Sequence, residues 1–170
     1  MDGMDEDLGS RLEQQIPALR RYAFALARNS AEADDLVQDC LERALSRWSL
    51  RRADGDLRAW LFTILRNQFV NAYHRNKRRG TQVAEDLDAA SPAGQDRTLE
   101  LSDALAALDL LPEEQKSLLL LVGVEDFSYA EAAQVLGIPE GTVMSRLSRA
   151  RKRLREILES GRVPLLRRVK

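Results

Sequence analysis

Apolar residues in this chain recur every three or four positions, and no stretch shows strand-like alternation. A period near 3.6 puts one stripe on a helix, whereas a half-buried strand needs a period of two. The chain is therefore expected to be all-α, burying its apolar surface by packing helix against helix. From Leu8 to Ala27 the stripe is Leu12, Ile16, Leu19, Ala23 and Leu26. Asn29-Ser30 interrupts it, and Ser30 is the expected cap of a second helix. Glu32, Asp34 and Asp35 occupy the first turns of that helix, where the dipole favours acids. Its stripe is Ala33, Leu36, Val37, Cys40, Leu41, Ala44, Leu45 and Trp48. After the polar turn Ser49 to Gly55, Asp56 is the candidate cap of a third helix running to about Arg78. Its expected buried face is Trp60, Leu61, Ile64, Leu65, Phe69, Val70 and Tyr73. Three helices with short connections predict a small bundle over 8–79.

Residues 80–98 lack sustained periodicity and contain the Ser91-Pro92-Ala93-Gly94 punctuation of a linker. As a coil such a stretch averages roughly 25 Å end to end, with an extended limit on the order of 65 Å. A second helical domain is expected over 99–160. Leu99 to Leu110 is amphipathic, and Pro112 stands where a first helical residue belongs, ahead of Glu113-Glu114 and the run Leu118 to Val122. Ser128-Tyr129-Ala130-Glu131 has the capping-box pattern and opens a short helix through Leu136. Gly137-Ile138-Pro139 makes a turn, and a long basic helix runs from Thr142 to about Glu159.

Composition narrows the function. A lone Cys40 excludes a disulfide framework and a thiolate-rich zinc site, and on an apolar stripe it reads as a small hydrophobe. His74 is the single histidine, so a multi-histidine metal centre is excluded. No paired-carboxylate or nucleophile constellation suggests an enzyme, and no cofactor is expected. No apolar run approaches the roughly 20 residues of a membrane span, and the acidic start Asp2, Asp5, Glu6, Asp7 is the reverse of a secretory signal. No membrane insertion is expected, and the location is read as cytoplasmic.

The formal net charge of −1 conceals alternating blocks. Residues 51–80 carry eight Lys/Arg against two Asp/Glu, and residues 141–170 carry ten against two. Residues 1–50 carry six against ten, and residues 81–140 two against thirteen. One basic block is commonly a solvated helix face; two, each closing a helical segment, point to a polyanion held at two places. The second block lies in a helix-turn-helix pattern, Ser128 to Arg153, whose second helix would enter the major groove by its N-terminus. There Val143, Leu147, Ala150 and Leu154 face the core. Thr142, Ser145, Arg146, Arg149, Lys152 and Arg153 are left for phosphates and base edges, where arginine can hold guanine bidentately.

Phe127-Ser128-Tyr129-Ala130-Glu131-Ala132-Ala133 followed by Gly137-Ile138-Pro139-Glu140-Gly141-Thr142-Val143-Met144-Ser145-Arg146-Leu147 resembles region 4 of bacterial extracytoplasmic-function sigma factors, with Leu111-Pro112-Glu113-Glu114-Gln115 as its entry. Ala33-Asp34-Asp35-Leu36-Val37-Gln38-Asp39-Cys40-Leu41-Glu42-Arg43-Ala44 is similar to region 2.2. Arg58-Ala59-Trp60-Leu61-Phe62-Thr63-Ile64-Leu65-Arg66-Asn67 is similar to regions 2.3 and 2.4.

The resemblance implies a dissociable subunit that binds core RNA polymerase and directs initiation at −10 and −35 promoter elements, in a stress response. It implies that Asp35, Gln38, Asp39, Glu42 and Arg43 dock on the coiled coil of the largest polymerase subunit. A solvated face, with Glu42 paired inside the bundle, is the alternative for these five. Arg66, Asn67, Asn71, Arg75, Lys77 and Arg78 would face the −10 element, with Trp60, Phe62, Phe69 and Tyr73 as aromatic surface, although Trp60 also reads as core. Asn67 and Asn71 would lie near a flipped base, residues 49–56 would form the selectivity loop, and His74 would join the phosphate-contacting face. An anti-sigma factor is the further partner implied. Met144 and Ser148 depart from the residues common in relatives, so no promoter preference is carried over. A helix-turn-helix regulator and a decoy for an anti-sigma factor are the competing readings. Two basic blocks speak against the decoy, and an elaborate first domain speaks against the plain regulator.

Overall fold

The computed structural model describes residues 2–80 and 95–161, and every regular element among them is helical. In the first unit, α1 spans Asp2–Ala27, α2 Ser30–Ser46 and α3 Leu57–Arg78, with a 3₁₀ turn at Trp48–Leu50. The second unit carries α4 (Gln95–Asp109), α5 (Glu113–Leu119) and α7 (Glu140–Glu159). The short helix α6 (Tyr129–Leu136) precedes α7. No helix among the described residues is long and apolar enough to cross a membrane.

α1, α2 and α3 pack mutually around Leu19, Tyr22, Ala23, Leu36, Val37, Cys40, Ala44, Leu61, Phe62 and Leu65, all buried. Each leucine sequestered this way contributes on the order of 1.5–3 kcal/mol. That sum carries α1 straight through Pro17, where a missing N–H and a ring clash cost about 3 kcal/mol. Pro17 itself is exposed, so the disruption falls on the solvent side. α1 is followed by Arg28, whose left-handed φ of 58° stops the helix while its N–H donates to the Phe24 carbonyl at 2.7 Å.

Two expectations about α2 and α3 are corrected. Asn29, not Ser30, caps α2: its Oδ1 accepts from the Glu32 N–H at 2.9 Å, leaving Ser30 as the first helical residue. Burial, and secondarily Asp35, holds the Glu32 carboxyl above its usual range despite the favourable helix end. Asp56 caps α3 as expected, accepting from the Arg58 N–H at 3.0 Å. The buried arc of α3, however, is Leu57, Ala59, Leu61, Phe62, Leu65, Arg66, Gln68 and Phe69. Trp60, Ile64 and Val70 are half-buried and Tyr73 is 46% exposed. α3 touches both α1 and α2, so its covered arc is wider than one stripe and centred elsewhere.

In the second unit Ala107, Leu111 and Ile157 form an apolar cluster, flanked by Leu108, Leu119 and Leu154. α4 begins at Gln95, inside the stretch read as linker; Gln95 to Thr98 carry no apolar pattern but are compatible with a helix. The remainder of that stretch, 81–94, lies outside the described residues. Pro112 sits just before α5 and not within it, its carbonyl accepting from Lys116 N–H at 3.0 Å. α5 runs into an unanticipated π turn, Leu120–Val124, in which the Glu125 N–H reaches back to the Leu120 carbonyl at 3.0 Å. The capping box forms in both directions: Ser128 N–H donates to Glu131 Oε2 at 2.7 Å, and Glu131 N–H to Ser128 Oγ at 3.1 Å. α7 starts at Glu140, two residues ahead of the expected Thr142.

Cys40 is fully buried, its thiol donating to the Leu61 carbonyl at 3.3 Å, and desolvation pushes its pKa up to about 12. Since the thiolate is the nucleophile, native protein at pH 8 should resist iodoacetamide, whereas protein unfolded in guanidinium should take up one equivalent by mass. Rapid labelling of the folded chain would contradict this burial.

Candidate nucleic-acid interface

At 100° per residue, Val143, Leu147, Ala150, Leu154 and Ile157 fall within about 80° of one another on α7. All but the half-buried Leu154 are buried. Thr142, Ser145, Arg146, Arg149, Lys152 and Arg153 occupy an adjoining arc of roughly 120°, with Arg146 at its edge beside Ile157 and Lys152 farthest from the apolar stripe. Ser145, Arg149, Lys152 and Arg153 are exposed, and Thr142 and Arg146 half-buried. The six lie on one flank of α7, and they are not equivalent. Arg146 gives one Nη1 hydrogen bond to Glu114 Oε2 of α5 at 2.9 Å. Ser145 donates its hydroxyl to the Thr142 carbonyl at 3.1 Å. Arg149, Lys152 and Arg153 present the cationic surface. Gly137, at φ 65°, ends α6, and the Ile138 N–H closes that end on the Ala133 carbonyl at 3.1 Å.

On α3 the phase places Asn67, Asn71, His74 and Arg78 within about 60° of one another and of Trp60. Asn67, Asn71, His74, Arg75, Lys77 and Arg78 are exposed. Three expected surface residues are not, among them Phe69 at 9% exposed, which the spacing also places on the buried face. Phe62 is fully buried, its ring 5.1 Å from that of Tyr22, and Arg66 is only 9% exposed, so neither stands with the exposed donors. Both sit on the arc turned toward the rest of the bundle.

The α2 residues Asp35, Gln38, Asp39, Glu42 and Arg43 are all exposed. Gln38 Nε2 donates to Glu42 Oε1 at 3.2 Å, the within-helix pairing left open for Glu42. The five cover one exposed arc of about 140° on α2, with Gln38 and Glu42 on one flank and Asp39 and Arg43 on the other. Gln38 and Glu42 border a groove of about 300 Å³ floored by Ile16, Val37, Leu41 and Leu45, the last 54% exposed. Asp39 and Arg43 line a different cleft, of about 430 Å³, together with Asn71, His74, Arg75 and Arg78 of α3. That convergence was not legible from spacing, because it depends on how α2 and α3 are phased against each other.

The turn before α3 is braced by a contact that the sequence did not flag. The Arg51 guanidinium lies 4.9 Å from the Trp48 ring centre and donates to the Arg52 carbonyl at 3.0 Å. Trp48 in turn meets Trp60 edge to face at 6.1 Å. The loop is therefore tied to the head of the α3 donor stripe.

Comparison with known proteins agrees with this architecture. Residues 12–66 match the family described as the Sigma2 domain of PhyR, and residues 101–154 match Sigma-70, region 4. The chain is 42% identical over 149 residues to the ECF RNA polymerase sigma factor EcfG of Rhodopseudomonas palustris, covering 84% of this chain and 80% of that one. It is 36% identical over 143 residues to SigM of Mycobacterium tuberculosis, covering 82% and 71%. Among solved structures, sigma factor RpoE of Bartonella quintana, in complex with the anti-sigma factor NepR, superposes with a TM-score of 0.80 at 36% identity, covering 91% of this chain and 98% of that one. The chain belongs to the extracytoplasmic-function (ECF) RNA polymerase sigma factors, and its two helical units carry sigma regions 2 and 4.

Truncating Phe62 to alanine should act on the fold and not on a DNA surface. Loss of a fully buried ring costs about 3–5 kcal/mol, read as a large drop in thermal midpoint by circular dichroism. A Phe62→Ala chain that melts normally would return this ring to the surface.

Proposed function

We propose that the chain binds core RNA polymerase through α2 and directs it to promoters through two cationic faces, α3 on the −10 element and α7 on the −35 element. Residues 8–79 and 99–160 then serve as the two working domains. The observation that supports this division best is the segregation on α7, where Val143, Leu147, Ala150 and Ile157 are buried and Ser145, Arg149, Lys152 and Arg153 are left exposed on the adjoining arc. Arginine and lysine at that face neutralise phosphates, and the N-terminal turn offers hydroxyls and guanidinium groups to base edges. On α3, exposed Asn67 and Asn71 lead a row that ends in Arg78, with exposed Arg75 and Lys77 on its two sides, suited to a strand whose bases are unstacked. On α2, Asp35, Gln38, Asp39 and Glu42 offer a mainly acidic surface to a basic partner.

The protein catalyses nothing itself and works in the cytoplasm, where the polymerase is. An anti-sigma factor is the natural inhibitor, since the solved relatives RpoE and CnrH are held by NepR and by the cytosolic domain of CnrY. A stress response is the expected setting. The match of residues 12–66 to the Sigma2 domain of PhyR brings in the decoy reading, since the PhyR of Bartonella quintana is an anti-anti-sigma factor. A decoy has no use for a cationic α7.

Transcription reconstituted with core polymerase tests the reading. Promoter-specific initiation on genomic templates is the expected result; duplex binding without initiation would make the protein a plain regulator. Asp39→Arg should impair co-purification with core polymerase while the helical spectrum is unchanged. Arg149→Ala should weaken duplex binding and flatten its salt dependence by about one unit. An unchanged affinity and salt slope would remove α7 from the DNA.

A further inference from the structure

The cations of α7 differ in how far their charge is already matched within the chain. Thr142, Arg146, Arg149 and Arg153 lie within about 60° of one another on the helix, so they would meet the same duplex. Arg149, Lys152 and Arg153 have no carboxylate partner among the described residues, and Arg149 makes one long bond, from Nε to the Ser145 carbonyl at 3.4 Å. Arg146 alone is compensated. Its Nη1 donates to Oε2 of Glu114, in the first turn of α5, at 2.9 Å. The Arg146 side chain is 35% exposed and that of Glu114 61%. Nε and Nη2 of Arg146 are neither buried nor hydrogen-bonded among the described residues.

A guanidinium matched by a carboxylate releases little counterion at a phosphate, and so loses most of its value as a sequence-independent contact. What it keeps is a planar set of N–H donors, ordered before DNA arrives. Arg146 stands in the second turn of α7, toward the end of a recognition helix that meets base edges. Guanine, with O6 and N7 as paired acceptors, is the base such a fork fits. We propose that Glu114 is a positioning residue that makes Arg146 a reader of guanine, leaving Arg149, Lys152 and Arg153 to hold phosphates. Glu114 thereby lowers affinity for duplex in general and sharpens the discrimination between sequences. This role rests on the assignment of α7 to the −35 element, and adds to it a residue of α5 that acts through Arg146.

A duplex selected by the wild-type full chain from a randomised pool supplies the preferred sequence, and its scrambled order the reference. Binding of both is followed by fluorescence anisotropy over a range of salt. Glu114→Gln should bind the scrambled duplex more tightly, with a salt slope steeper by about one. Its preference for the selected duplex should fall roughly tenfold. Selections repeated with Glu114→Gln and with Arg146→Ala should relax the same G·C pair, and the double variant should lose no further preference. The role is overturned if the wild type selects no sequence, if the preference survives Glu114→Gln, or if the two variants relax different base pairs. It is equally overturned if Glu114→Gln weakens both duplexes alike, the mark of a mere strut between α5 and α7. Arg149→Ala separates the two levels. If it leaves duplex binding and salt slope unchanged, α7 is not on the DNA and both assignments fall. If it weakens binding while Glu114→Gln keeps full preference, the role of Glu114 falls alone.

Discussion

A helix has one circumference, and whatever part of it is buried decides what the remainder can offer. On α7 the inward set Val143, Leu147, Ala150 and Ile157 leaves an exposed flank to Ser145, Arg149, Lys152 and Arg153. Those cations are presented because apolar burial on the other side fixes the rotation of the rod. Removing surface arginines would change what α7 binds; removing Val143 or Leu147 would change which way it faces. The hydrophobic effect thus orients the polar chemistry without taking part in it.

This dependence explains which parts of the molecule were legible beforehand. α7 was readable because its burial is one-sided and its apolar and basic residues separate cleanly by spacing. The capping box at Ser128 and Glu131 was readable because it is local, two hydrogen bonds within four residues. α3 was only partly readable. Its limits and its Asp56 cap agree with the sequence, but packing against both α1 and α2 covers a wide arc that includes Arg66 and Gln68. Spacing alone takes Tyr73 inward, where it is half exposed, and the family resemblance takes Phe62 outward, where it is fully buried. Pro17 and the π turn at Leu120–Val124 lie beyond local rules for a related reason: tertiary burial overrides backbone preference at both.

The charge blocks acquire their meaning from this arrangement as well. Arg146 is tied to Glu114 while Arg149 is not, although both belong to one basic run. Arg43 belongs by sequence to an acidic helix yet lines a cleft with Arg75 and Arg78. Block arithmetic locates polyanion surfaces coarsely; which cation is available depends on carboxylates brought in from other helices.

Gly137 shows how narrowly the reading helix is set. Its φ of 65° belongs to the left-handed basin, and an added Cβ would meet nothing within 4 Å. Room is therefore not what reserves the position for glycine; torsional preference is. A larger residue would fit at 137 without touching a neighbour and would still be strained, so the penalty for replacing this glycine would fall on the main chain alone.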